Sequence, residues 1–383
     1  MASAPFAAPA DASDLFLNPA SCAYMRGLYL DAGAMMNFRD AQFSMTNYPG
    51  VTPATLAFYS NSTANGAEGF PMGNFVYSPQ QLPFGIGIGV NEPYQFHTFW
   101  QSQWAGSSIA HQSDGHALFT TFALGYQFNR MFYAGANIHI VTGGVDLFTV
   151  ENGNTIQSLG TGTSAAAGFS ALFIPMRQFS LSVGYLSGTN ISLQGNTQVY
   201  GNSTNNSTLR SGAYHSALSL PSILTLGVAS RPISGLTLEA GVELVGWGSL
   251  DQLQNNYGDS NYTALQTNFQ NSFSLRFGAE YVIQQSVAFR AGIRYVSAAV
   301  SDSNVSPFYP DADAVQYSVG FGYYFSRNVR IDLAYQGSAY SNTDAKLLGN
   351  AGVYSITQSQ IAATISLLFE PTSNPLRSPL PKR

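Results

Sequence analysis

His139 and Asn137 stand two residues apart, the spacing that puts both side chains on one face of a β-strand. An imidazole oriented by an amide can activate a serine hydroxyl, the arrangement of a Ser-His-Asn hydrolase. The next position on that face is Val141, however, and no other serine-histidine spacing stands out. His97, His111 and His116 fall in or beside one loop, with no carboxylates at metal-ligand spacing, so no metal is expected there. Cys22 is the single cysteine, which excludes an internal disulfide and a thiolate metal site and leaves it as a small apolar residue. Neither catalysis nor a bound cofactor is expected.

Arg276, Arg290 and Arg294 offer a different chemistry. A buried ligand carboxylate needs a basic partner to offset its desolvation, and a guanidinium is a good one. Glu243 and Glu280 can equally neutralise these arginines, and the same space then suits an uncharged hydrocarbon. Net charge is −5, which offers no basic surface for nucleic acid.

What must position such residues is legible from composition and periodicity. Only 9% of the residues are Asp, Glu, Lys or Arg, against about 25% in ordinary soluble domains. Phe (26) and Tyr (22) are abundant, yet no apolar run is long enough for a membrane-spanning helix. Alternation hides the hydrophobicity instead: in VRIDLAYQ, Val329, Ile331, Leu333 and Tyr335 share one face while Arg330 and Asp332 share the other. The same reading predicts fourteen strands, at 27 to 41, 67 to 78, 83 to 96, 115 to 128, 131 to 148, 164 to 174, 178 to 198, 211 to 230, 235 to 250, 266 to 283, 286 to 300, 314 to 325, 328 to 341 and 356 to 369.

Short turns such as NR and SRN alternate with long polar loops near 42 to 66, 97 to 114, 149 to 163, 199 to 210, 251 to 265, 301 to 313 and 342 to 355. That is the rim asymmetry of a transmembrane antiparallel β-barrel with an all-β fold, and an even strand count returns both termini to the periplasmic side. A charge on the lipid face costs on the order of 2 to 4 kcal/mol at mid-bilayer, so Asp31, Glu239, Glu243, Arg276, Glu280, Arg290, Arg294, Arg330 and Asp332 must face the lumen.

Three stretches break the pattern. Asn18-Pro19-Ala20 cannot sit within a central strand, because proline has no N–H for a ladder. It reads either as a lead-in to the first strand or as part of a hatch inside the lumen, spanning roughly 1 to 26. In PFGIGIGV, the polar-face positions Gly85, Gly87 and Gly89 carry no side chain, which suits a strand leaning inward to touch the hatch, or simply makes room for bulky neighbours. Pro93 then disrupts pairing near its outer end. Tyr94, Phe96, Phe99, Trp100 and Trp104 crowd the following loop, either as an interfacial aromatic belt or as an apolar capture site.

DASDLFLNPASCAYMRGLYLDAG resembles the N-terminus of the FadL/TodX outer-membrane transporters, whose Asn-Pro-Ala motif lies in a small plug before the first strand. LPFGIGIGVNEPY, the Trp104-Ala105-Gly106 step, LPSILTLGVASRP with Trp247-Gly248-Ser249, and PDADAVQYSVGFGYYFSRNVRIDLAY follow in family order. The resemblance implies a monomeric fourteen-stranded barrel, residues 27 to 369, with an N-terminal hatch. It further implies passive uptake of hydrophobic molecules, such as fatty acids or hydrocarbons, released sideways at an inward kink of the third strand. Ser107 and Ser108 replace the arginine that often follows Trp-Ala-Gly, removing one carboxylate partner. Outer-membrane lipids and lipopolysaccharide would surround the barrel of a Gram-negative bacterium. The N-terminal stretch has no signal-peptide character, and the Pro-rich segment 370 to 383 reads as a disordered periplasmic tail. A water-filled porin and a purely structural barrel are the alternatives.

Overall fold

The computed structural model describes residues 6–47, 62–101, 104–151, 154–200, 211–250, 252–257, 261–266, 268–347 and 350–369. The start of the expected hatch and the expected tail lie outside these residues, as do parts of the expected loops at 42 to 66 and 199 to 210. A 3-10 turn at Ala12–Phe16 and one helical turn at Ser21–Tyr24 precede a single antiparallel sheet.

Its fourteen staves, numbered here by stave, are β1 Gly27–Asn47, β2 Ser62–Ser78, β3 Phe84–Phe99, β4 Ala110–Gln127, β5 Phe132–Glu151 and β6 Asn154–Met176. Four of the next staves are interrupted: β7 (Phe179–Leu186, Thr189–Tyr200), β8 (Gly212–Leu220, Ile223–Ser230), β9 (Leu236–Val245, Gln252–Tyr257) and β10 (Asn261–Gln266, Ser272–Ile283). They are followed by β11 Val287–Val296, β12 Ala314–Tyr324, β13 (Val329–Tyr340, Thr343–Leu347) and β14 Asn350–Phe369. Pro221, which has no N–H to give, marks the interruption of β8.

Strand β14 pairs with β13 on one side and with β1 on the other, where Leu28 lies opposite Phe369, so the sheet closes on itself. Both ends of the barrel chain therefore lie on the rim of short turns. The alternation sorts as charge and lipid demand: Val315, Tyr317, Val319, Phe321 and Tyr323 of β12 are exposed, while Ser318 between them is buried. Exposed apolar side chains in an unbroken ring are what a lipid-facing wall requires.

Several expected boundaries are corrected. The segment 149 to 163, expected as a long loop, continues β5 to Glu151 and starts β6 at Asn154, as a hairpin. Thr343–Leu347 likewise pairs with β14, and Gln252–Tyr257 with Asn261–Gln266. Strand β11 ends at Val296 rather than at 300. The segment 154 to 163 is rich in Asn, Gln, Ser, Thr and Gly, and Thr343–Leu347 is only five residues long, so no sustained apolar alternation announced them.

Inside, opposite charges pair within and across staves β9 to β13. Glu243 of β9 bonds Arg276 of β10 at 2.5 Å and Arg294 of β11 at 2.7 Å. Arg290 of β11 bonds Glu280 at 2.7 Å and Asp332 at 2.6 Å, and Asp332 bonds Arg330 at 2.5 Å. Removing Glu243 takes the shared carboxylate from the buried Arg276 and the half-buried Arg294. Glu243→Ala is therefore expected to lower unfolding stability in lipid vesicles by about 3 to 5 kcal/mol, read by urea titration of tryptophan fluorescence. A loss below about 1 kcal/mol would show that these pairs do not support the wall.

Candidate functional site

Residues 6–26 fold back into the lumen, and much of the floor beneath them is glycine. Pro19 turns the chain: Ser21 and Cys22 donate backbone hydrogen bonds to the carbonyls of Asn18 (3.0 Å) and Pro19 (3.1 Å). A Cβ on Gly125 of β4 would stand 2.8 Å from the Pro19 carbonyl oxygen, and one on Gly135 of β5 2.7 Å from the same atom. Only glycine lets the plug backbone come so close. Gly85 of β3 lies closer still under the Cys22 carbonyl, Gly87 faces Cys22 Sγ and Leu15 (3.1 Å each to a built Cβ), and Gly89 faces Asn74 and Leu15. Within the plug, Leu15 and Cys22 rest on β3, while Pro19 and Ala20 rest on β4 and β5.

Polar groups of the wall satisfy the plug's backbone. The Asn137 amide donates to the carbonyls of Leu15 (2.9 Å) and Phe16 (2.8 Å). Ser170 Oγ accepts from Ala20 N at 2.8 Å, Asp31 from Ala12 N at 2.6 Å and Glu239 from Ala7 N at 2.6 Å. Asn18 Nδ2 donates to the Phe6 carbonyl at 2.7 Å. Arg276 stacks over the Phe6 ring at 4.5 Å, and Arg330 lies 3.5 Å from Asp11. His139 Nδ1 shares a 2.9 Å hydrogen bond with the Thr121 hydroxyl, and its ring packs edge-on against Phe16 and Phe119. Asn137 and His139 thus serve packing and plug, and the geometry gives the hydrolase reading no support.

Strand β3 departs from the wall halfway up. It pairs with β2 only from Tyr77 opposite Ile86 to Gly73 opposite Val90, although β2 pairs with β1 from Ser78 up to Ser62. The β3 and β4 register shifts between Asn91 and Tyr94, a bulge that contains Pro93. Above it, a Cβ on Gly66 of β2 would stand 2.9 Å from the carbonyl oxygen of His97. Gly66 faces inward, so the upper part of β3 lies over the lumenal face of β2 instead of beside it.

The sequence profile described as "Outer membrane protein transport protein (OMPP1/FadL/TodX)" matches residues 1–366. The chain belongs to this family of outer-membrane proteins. It is 28% identical over 137 residues to outer membrane protein P1 of Haemophilus influenzae, a match covering 35% of this chain and 30% of that protein. Among solved structures, a Pseudomonas aeruginosa FadL homologue superposes with a TM-score of 0.85 at 18% identity, covering 96% of this chain and 97% of that one. The Pseudomonas putida toluene transporter TodX gives 0.76 at 16% identity, with 94% of both chains covered. The fold shared with these barrels and the family match put the protein in the Gram-negative outer membrane.

Within this FadL/TodX frame the aromatic residues of the β3 to β4 region separate. Trp100 and Trp104 stack at 4.1 Å and are 1% and 0% exposed, their indoles bonded to the carbonyls of Pro307 and Ala110 at 2.9 Å each. With Phe43 and Tyr354 they form a buried cluster near the loop rim, neither a lipid-interface belt nor an open capture surface. Phe99 does not join them and is 53% exposed. Phe96 packs edge-on against Tyr309 at 5.9 Å. Arg276, Arg290 and Arg294 are all ion-paired, as described above. The pattern of single residues missed the main apolar body of the lumen, in which Phe119, Val141, Leu193 and Leu218 pack around Phe16 and Leu17 of the plug. Alternation alone could have flagged Phe119 and Val141, because they sit on the lumenal rather than the lipid parity of their strands. The fold also corrects the reading of His97: Glu68 of β2 and Asp114 of β4 join it, with ligand atoms within 4.8 Å of one another.

Asn137→Ala leaves the Leu15 and Phe16 carbonyls without a donor, at a cost of about 1 to 3 kcal/mol. Amide exchange across residues 6–26 should accelerate roughly tenfold or more, and unchanged exchange would show that this amide does not hold the plug. Asp14, which accepts from Ala10 N at 2.7 Å, is pushed well above the ordinary carboxylate range by burial and then by the charge of Asp11. Plug docking is then strongest below the usual carboxylate pKa of about 4 and weakens as pH rises through the raised value of Asp14. Asp14→Asn should flatten that pH dependence of exchange, and an identical profile in the variant would assign it to another group.

Proposed function

We propose that the protein is a channel for passive uptake of hydrophobic molecules, with uncharged aromatic or aliphatic hydrocarbons favoured over fatty acids. The family match supports the class. The solved relatives that share the fold include a protein described as a toluene transporter. The lumen supports the preference: Phe16, Phe119, Val141 and Leu193 form an apolar cluster, while the three arginines considered as carboxylate partners are held by Glu243, Glu280 and Asp332. A ligand carboxylate would have to displace one of these partners, whereas a hydrocarbon displaces nothing charged.

The exit is the interruption between β2 and β3, and that interruption carries the reading. A substrate reaching the apolar cluster from the loop side meets the plug below it and the unladdered upper edge of β2 beside it. Sideways release asks for no movement of the plug, whose backbone is bonded to several staves. The obstructed lumen also disfavours a water-filled pore.

Between its pairings with Phe119 and Ala117 of β4, β3 carries Glu92 and Pro93 opposite a single residue. Deleting Glu92 removes the extra residue and lets β3 rejoin the β2 ladder. Uptake of labelled toluene by cells carrying this variant should fall at least tenfold, with the barrel still heat-modifiable on gels. Unchanged uptake by a folded variant would exclude this exit.

A further inference from the structure

The tucked part of β3 is not loose. His97 rests on β2 with its imidazole Cδ2 2.7 Å from where a Gly66 Cβ would stand, and two residues along the same lumenal face of β2 is Glu68. Asp114, on the neighbouring β4, contacts His97 Nδ1 directly, and its other oxygen accepts from the Gln112 amide. One nitrogen and two carboxylates from three strands thus converge within 4.8 Å. A small cavity of about 20 Å³ adjoins them, lined by Glu68, His97 and the amides of Asn37, Gln95 and Gln358. That is room for an ion or a single water.

Arg39 also borders the cavity, but its guanidinium lies over the Tyr309 ring at 4.5 Å and bonds the Pro310 carbonyl. Two carboxylates against this one guanidinium leave the site net negative when the imidazole is neutral. We propose that Glu68, His97 and Asp114 bind a zinc-class divalent cation that ties β2, β3 and β4 together where the β2 to β3 ladder stops. An imidazole with two carboxylates suits Zn²⁺, Co²⁺ or Ni²⁺, whereas Mg²⁺ and Ca²⁺ take shells of oxygen. The hydrogen bond from Gln112 holds the Asp114 carboxylate in orientation, as such partners do in metal centres. With three protein ligands, at least one position is left for water. By fixing the tucked stretch of β3, the ion would slow sideways release, a consequence that rests on the exit reading above.

The test uses the full-length protein purified in detergent, stripped with a chelator and titrated with ZnCl₂ or CoCl₂ alone. One saturable Zn²⁺ per chain is expected, together with a visible Co²⁺ absorption band that Zn²⁺ bleaches and Mg²⁺ does not. His97→Gln and Glu68→Gln should each weaken binding at least tenfold. No saturable binding, or full affinity in a folded His97→Gln variant, would overturn the site. Where a variant does not fold, histidine carbethoxylation of the wild-type protein decides: Zn²⁺ protection of His97 supports the site, and equal labelling overturns it. Zn²⁺ should also slow toluene uptake by wild type but not by His97→Gln. Binding without that effect would detach the ion from release, while failure of the Glu92 deletion leaves the binding result standing.

Discussion

A backbone that crosses lipid must pair its N–H and C=O groups within the protein, because hydrocarbon offers no other partner. The rest of this structure follows from how that demand is met and where it is relaxed. Closure of β14 on β1 removes the sheet edge, and register is kept along nearly the whole length of both strands. The upper part of β2 is the exception: it pairs with β1 but not with β3. Its free edge is tolerable because β3, displaced inward by one extra residue, lies across its inner face and brings His97 and Asp114 to Glu68. An interruption at such a place is a feature that the surrounding contacts maintain.

The same demand shapes the interior. A plug inside a barrel is itself backbone away from bulk water, and its N–H and C=O groups find partners on the lumenal face: Asp31, Asn137, Ser170 and Glu239 each bond a plug backbone group. Close approach requires missing side chains, and Gly85, Gly125 and Gly135 supply that space beneath Cys22 and Pro19. Lumenal charges pair with each other across β9 to β13, which keeps both signs stable at depth, and Arg276 and Arg330 also reach Phe6 and Asp11 of the plug. The apolar remainder, around Phe119 and Val141, is what a greasy molecule would meet.

Much of this was legible before any coordinates. The lipid-facing parity of Val315 to Tyr323, and the lumenal parity of Arg290 and Arg330, follow directly from period-2 alternation. The polar upper segment 154 to 163 was not legible, because a strand polar on both faces looks like a loop. The aromatic loop was only half legible: composition announced Trp100 and Trp104, but composition cannot distinguish a stacked, buried pair from an exposed belt. His97 was misread for a related reason, since its carboxylate partners come from β2 and β4.

By itself, then, the sequence determined a closed fourteen-stave barrel, which face of each stave meets lipid, and an N-terminal segment that is not strand. Those are local properties, written in alternation and in proline, and each residue's neighbours along the chain suffice to express them. The tertiary structure alone decided that Pro19 rests on Gly125 and Gly135, that Arg276, Arg290 and Arg294 each have a carboxylate partner, and that β3 lies over β2 with Glu68, His97 and Asp114 converging. Register and inward displacement between strands set those contacts, and a one-residue bulge changes both without leaving a mark in the alternation of any single strand.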